Sequence, residues 1–200
     1  METKQELMDS HLYSIKGIFP KYIIKKFLCS YSIYVSLGIT IILYLLMIFF
    51  QSENTFILLR EIIGITLNLL PNILGFCIGG YALIIGIGNI EALKKMSLPM
   101  KKRDNLSFFQ ILSSVFAGSL VLQCVTLLCS FIINIILKLE IPAFSNQIAI
   151  MINSVVIISI LFLSILSIIL LYYTVINLFN YGQSMHFLIR LEKREQNEQH

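Results

Sequence analysis

Seven asparagine, glycine and alanine residues recur at alternating steps of four and three within one apolar segment: Asn68, Asn72, Gly75, Gly79, Ala82, Gly86 and Asn89. On an α-helix this spacing places all of them on one face, which drifts slowly around the axis as in a left-handed helix pair. Such a face favours association with another helix, because small residues allow a second backbone to approach closely and amides in hydrocarbon need hydrogen-bond partners. We call these residues the small-residue stripe. They are predicted to pack against protein, either within the chain or as an oligomer interface or moving element.

The other residues that could take part in catalysis or ligand binding do not form a recognisable catalytic, cofactor or metal site. His11, His186 and His200 are far apart in the sequence and have no serine or cysteine partner at a defined spacing. The segment GGYALIIGIG at 79–88 is rich in glycine. It lacks the preceding strand and the Lys-Ser/Thr pair of a phosphate-binding loop. We therefore expect a protein without enzymatic activity, cofactor or bound metal.

The composition places the stripe in a membrane protein. The chain has 200 residues, of which 57% are hydrophobic and 13% charged. Soluble domains have about 45–50% apolar and about 25% charged residues. Four stretches without charged residues are long enough to span a bilayer: about 31–50, 62–90, 108–137 and 148–181. This pattern predicts one four-helix transmembrane domain over residues 1–200, with tails at 1–30 and 182–200.

Basic residues indicate the orientation of these spans. Of the 15 lysines and arginines, only Arg60 and Lys138 lie outside the two tails and the middle loop. Because basic flanks stay on the cytoplasmic side, both termini and the middle loop are expected in the cytoplasm. The basic residues of the loop and the C-terminal tail are also candidates for contact with lipid or with a cytoplasmic protein: Lys94, Lys95, Lys101, Lys102, Arg103, Arg190, Lys193 and Arg194. Direct binding of nucleic acid is not expected.

The third span has a polar line of its own, Ser119, Gln123, Thr126 and Ser130. Buried amides in a membrane need partners, so this line is expected to meet the small-residue stripe, and Gln123 joins the predicted packing residues. In an alternative interpretation, an oligomer forms a pore that permeabilises the membrane. Its lining would be Asn68, Asn72, Gln123, Thr126 and Asn134.

The first and fourth spans carry fewer signals. The first is bulky and is expected to face lipid. Tyr172, Tyr173 and Tyr181 follow the most apolar part of the fourth span, where an interfacial aromatic belt is expected. Beyond these tyrosines the segment is predicted to continue as a helix.

The layout of four spans with both ends inside, together with the segment GFCIGGYALIIGIGNIEAL at Gly75 to Leu93, resembles the small membrane subunit of the Kiwa antiphage system of bacteria. The resemblance implies an inner-membrane sensor of phage infection that works with a cytoplasmic DNA-binding effector. The overall expectation is an all-α, polytopic membrane protein, a bundle of four transmembrane helices. It is expected to form a homo-oligomer, with a tetramer as one candidate size, and to contact membrane lipid.

Overall fold

The computed structural model describes residues 18, 31–50, 54–87, 93–94, 96–99, 106–139 and 146–198. Its long elements are four helices: α1 Tyr31–Phe50, α2 Thr55–Ile87, α3 Phe108–Lys138 and α4 Asn146–Glu198. Each of the four is long and apolar enough to cross a membrane. Within the described ranges the only β pairing is an isolated bridge between Pro99 and Ser107. The predicted all-α class with four apolar spans is confirmed.

Capping residues set where α2 and α3 begin. The Asn54 side chain accepts a hydrogen bond from the Phe56 backbone N–H at 3.2 Å. Asparagine is a favoured N-cap, so α2 begins at Thr55, well before the uncharged stretch that starts at residue 62. At α3, the Ser107 N–H donates to Gln110 Oε1 at 2.8 Å, and the Gln110 N–H donates to Ser107 Oγ at 3.1 Å. This reciprocal pair is a capping box.

α4 continues as a helix beyond its tyrosines, as the sequence predicts, and it extends through Glu198 at the Gln- and Asn-rich end. Its 53 residues correspond to roughly 80 Å of helix. A hydrocarbon core is about 30 Å thick. Much of α4 therefore lies outside the hydrocarbon region if the helix crosses the membrane once.

The protein divides into two compact units. Unit A comprises Ser30–Phe76 and Ser119–Leu171, and unit B comprises Met1–Cys29, Cys77–Gly118 and Tyr172–His200. The core of unit A is a cluster of branched aliphatic side chains from α2 and α4: Leu59, Ile62, Ile63, Ile157 and Ile160. A hydrogen bond of 3.1 Å between the hydroxyls of Thr66 and Ser164 also joins α2 to α4 in this unit.

α1 has a buried face of hydroxyl residues. Ser32, Ser36 and Thr40 are buried, whereas Leu45 and Phe49 are among the many large side chains of α1 that are exposed. The Ser36 and Thr40 hydroxyls donate to the backbone carbonyls of Ser32 and Ser36, each at 2.7 Å. The expectation that α1 simply faces lipid is therefore wrong for one of its faces. Small residues at every fourth position allow close helix contact, and this signal was present in the sequence.

Candidate functional site

α2 has a buried face on which residues recur every three or four positions. Its members in unit A are Leu59, Ile62, Ile63, Thr66, Leu70 and Ile73. Its members in unit B are Cys77, Gly80 and Ile84. Most of these side chains are aliphatic, and burying them stabilises the fold through close van der Waals packing between helices.

The small-residue stripe lies on the other side of α2. Each described member follows a buried position by two residues, which is a rotation of about 200° around the helix axis. All six described members are exposed: Asn68, Asn72 and Gly75 in unit A, and Gly79, Ala82 and Gly86 in unit B. Nothing lies within 4 Å of a Cβ atom placed on Gly75, Gly79 or Gly86. The seventh residue, Asn89, lies outside the described residues.

Packing of the stripe within the chain, one of the two expectations from sequence, is therefore wrong for its described members. The physical reason is that the opposite face of α2 carries the larger aliphatic side chains and gains more contact when it is buried. In unit A, Cys129 and Ile133 of α3 pack against the cluster of aliphatic side chains that α2 and α4 form. α3 thus packs on the aliphatic core of this unit, whereas the sequence predicts that it meets the stripe.

Large exposed side chains flank the stripe. By helical position, Leu69, Phe76 and Leu83 follow stripe residues on one side, and Ile78 and Ile85 precede stripe residues on the other; all five are exposed. Small residues between two rows of large ones leave a shallow groove along a helix. The Asn72 amide donates to the Asn68 backbone carbonyl at 3.1 Å, so this donor is satisfied locally.

The polar line of α3 is in the interior. Ser119, Gln123, Thr126 and Ser130 are all buried, and Gln123 has 0% relative exposure. The Thr126 hydroxyl donates to the Leu122 backbone carbonyl at 2.8 Å. A hydroxyl can satisfy itself in this way without a neighbouring helix.

The residues expected to line a pore do not share one surface. Asn68 and Asn72 are exposed, Gln123 and Thr126 are buried, and Asn134 is half-buried. An oligomer that joined exposed faces would leave the α3 members inside each protomer. The five residues on which the pore interpretation depends therefore do not form one continuous surface in the structure.

A cluster in unit B joins the middle loop to three helices. Its buried members are Ile84 of α2, Met96 of the loop, Leu112 and Phe116 of α3, and Tyr181 of α4. The Tyr181 hydroxyl donates to the Ile84 backbone carbonyl at 3.1 Å. This carbonyl is one of the last four of α2, which have no partner within the helix, so the Tyr181 hydroxyl caps the C-terminal end of α2.

No pattern in the sequence indicates this cluster, and Tyr181 was expected in the aromatic belt. The structure corrects that assignment, since Tyr181 is buried, whereas Tyr172 is 62% exposed. The ring of Tyr81 lies 5.6 Å from that of Phe116, centroid to centroid. Interfacial and buried tyrosines look alike in sequence because both combine an apolar ring with a polar tip.

Three of the predicted basic contact residues are described with their side chains, and all three are exposed: Lys94, Arg190 and Arg194. They belong to unit B. Lys94 lies in a turn that is held by hydrogen bonds from Ser97, whose N–H donates to the Leu93 carbonyl at 2.9 Å and whose hydroxyl donates to the Lys94 carbonyl at 2.7 Å. Lys95, Lys101, Lys102 and Arg103 lie outside the described residues, as does the side chain of Lys193.

Comparison with known proteins does not assign the chain to a family. No protein-family model, curated protein or solved structure matches it.

Proposed function

We propose that this protein is a non-enzymatic membrane subunit that assembles with copies of itself through the small-residue stripe. The observation that carries the proposal is the exposure of a grooved face of small residues and amides on a helix that is apolar enough to cross a membrane. Elsewhere in the apolar spans, many exposed side chains are large aliphatic and aromatic ones, as at Leu128 and Phe131 of α3. Such side chains suit contact with lipid, whereas glycines and asparagines suit contact with another helix.

A second copy of the protein is a self-complementary partner for this face. In a two-fold interface the same patch meets itself, so glycines of one α2 can lie against glycines of the other. Interhelical hydrogen bonds in membranes contribute about 0.6 kcal/mol each on average, so close backbone packing must supply most of the free energy of association. The alternating steps of three and four favour a left-handed crossing.

We further propose that the assembly acts as the sensor of an antiphage defence system in the bacterial inner membrane, with both termini in the cytoplasm, and that it docks a cytoplasmic effector. The sensing role is supported by the resemblance to the Kiwa membrane subunit. The orientation is supported by the basic residues of the loop and tail. Gly79, Ala82 and Gly86 belong to the same unit as Lys94, and Met96 of the loop belongs to the same buried cluster as Ile84 of α2. A change in the packing of α2 within this unit can therefore be transmitted to the middle loop.

The test is cross-linking in native membranes with a leucine at Gly79 or Gly86. We expect both variants to insert normally and to lose cross-linked oligomers, because a leucine side chain fills the groove. Gly182→Leu is the matched control, since Gly182 of α4 is exposed and also has nothing within 4 Å. It should retain the oligomers of the natural protein.

Unchanged oligomers in both stripe variants would exclude this interface. Equal loss of oligomers in Gly182→Leu would show that added bulk anywhere disturbs the assembly. For the sensing role, phage infection should alter the oligomer yield of the natural protein and leave that of the Gly79→Leu variant unchanged. An unaltered yield in the natural protein speaks against sensing through this face.

A further inference from the structure

The C-terminal part of α4 presents one basic face. His186, Arg190 and Arg194 follow one another at four-residue steps, and all three are exposed. Phe187 shares this side of the helix by its spacing of three from Arg190, and it is 61% exposed. Tyr181, in contrast, is buried in the unit B cluster. The basic face thus points away from the packing of its own unit.

The arrangement suits recognition of carboxylates. Two arginines four residues apart on a helix are neighbours, and each guanidinium can bind a carboxylate through two parallel hydrogen bonds. An exposed aromatic ring beside them supplies an apolar anchor, and arginine and aromatic residues are the side chains that dominate binding energy in protein interfaces. Glu192 and Glu195 lie off the four-residue row of the arginines, and Glu198 follows Arg194 in that row at the end of the helix.

The position along α4 favours a soluble partner over the membrane surface. The fourth span is predicted to end at about residue 181. Arg190 follows that end by nine residues of continuous helix, a length of about 14 Å. The headgroup layer on each side of a bilayer is only about 5–8 Å thick. Even a helix tilted by about 20° would carry Arg190 beyond that layer.

We infer that the face formed by His186, Phe187, Arg190 and Arg194 docks an acidic surface of a soluble protein, with carboxylates on the arginines and an apolar side chain on Phe187. The inference rests on the proposed function in one respect, because it assigns a place and a chemistry to the partner of the C-terminal tail. It does not depend on assembly through the small-residue stripe.

The experiment uses the full-length protein in nanodiscs of zwitterionic lipid. The probe is a fluorescent helical peptide with glutamates at four-residue spacing beside one leucine, and its binding is followed by anisotropy at several salt concentrations. R190E/R194E should weaken binding at least tenfold. Phe187→Ala should weaken it several-fold with an unchanged salt dependence. R60E/K138E is the matched control, since Arg60 and Lys138 are exposed basic residues of unit A and their replacement changes the net charge by the same amount; this variant should bind the peptide like the natural protein.

Other occupants give different results. Binding of anionic vesicles or of duplex DNA that depends on Arg190 and Arg194, without binding of the acidic peptide, would overturn the inference. Equal losses of peptide binding in R60E/K138E and R190E/R194E would show that only the net charge matters, and this result would also overturn the inference. The same titration on the Gly79→Leu variant separates the two proposals. If the Gly79→Leu variant no longer assembles but still binds the peptide, the docking face is supported independently of assembly. If the natural protein forms oligomers but does not bind the peptide, the docking inference is wrong and only the assembly proposal stands.

Discussion

Gly79 and Gly80 are neighbours in sequence, but the structure predicts opposite responses to the same substitution. Gly79 is exposed and nothing lies within 4 Å of a Cβ atom placed on it, whereas Gly80 is buried, and its Cβ would lie 3.9 Å from Leu178 Cδ2. A leucine at Gly79 therefore begins in open space on the exposed side of α2. A leucine at Gly80 must fit between α2 and α4 of unit B.

The magnitude follows from these distances. The Cβ of an alanine at Gly80 makes an ordinary van der Waals contact at 3.9 Å, and alanine is favoured over glycine within a helix, so Gly80→Ala should not lower the free energy of unfolding. A Cγ atom extends about 1.5 Å further, which brings it inside the preferred separation of about 3.5–4.0 Å when it points at Leu178. Overpacking of this kind costs about 1–3 kcal/mol. Gly80→Leu should lower the free energy of unfolding by that amount, and Gly79→Leu should not lower it.

Denaturant unfolding of dispersed protomers in detergent micelles, followed by circular dichroism, provides the comparison. Conditions in which the natural protein is monomeric remove any contribution from assembly. Gly80→Ala serves as the control for the loss of glycine itself. If Gly80→Leu and Gly79→Leu unfold at the same denaturant concentration, the assignment of a buried and an open face to α2 is wrong.

Two hydrogen bonds lead to further predictions. Tyr181→Phe removes the hydroxyl that caps α2 and should lower the free energy of unfolding by about 0.5–1.5 kcal/mol, while Tyr172→Phe, at an exposed ring, should have no effect in the same unfolding assay; equal effects would contradict the cap. A double-mutant cycle of Thr66→Val and Ser164→Ala should give a coupling of about 0.6 kcal/mol, near the mean for hydrogen bonds between membrane helices, and additive single effects would show that the two hydroxyls do not interact in solution.

Much of the helical framework could be predicted from the sequence, because long uncharged apolar runs leave few alternatives in a membrane. The start of α2 could not be read from hydropathy, since Asn54 caps the helix ahead of the charged residues Arg60 and Glu61. The spacing also identified a special face of α2. It could not decide what covers that face, because periodicity reports which residues share a side and not which side gains more contact when buried.

The candidate site shows the same limit. The small-residue stripe was visible as a pattern, but so was the Ser32–Ser36–Thr40 pattern of α1, and the structure buries the second and exposes the first. The difference lies in the other residues of each helix. α2 has a second face of large aliphatic side chains, and that face is buried in place of the stripe. Contacts between distant segments, such as that of Tyr181 with Ile84, depend on the tertiary arrangement and leave no periodic trace in the sequence.

The hydroxyls of the spans have a consequence for biogenesis. Ser36, Thr40, Thr66, Thr126 and Ser167 each donate to a backbone carbonyl one turn earlier in the same helix. A segment leaving the translocon can make these bonds before any neighbouring helix has been synthesised. Each span therefore enters the lipid with these polar groups already satisfied, and the meeting of helices becomes a separate, later step of maturation.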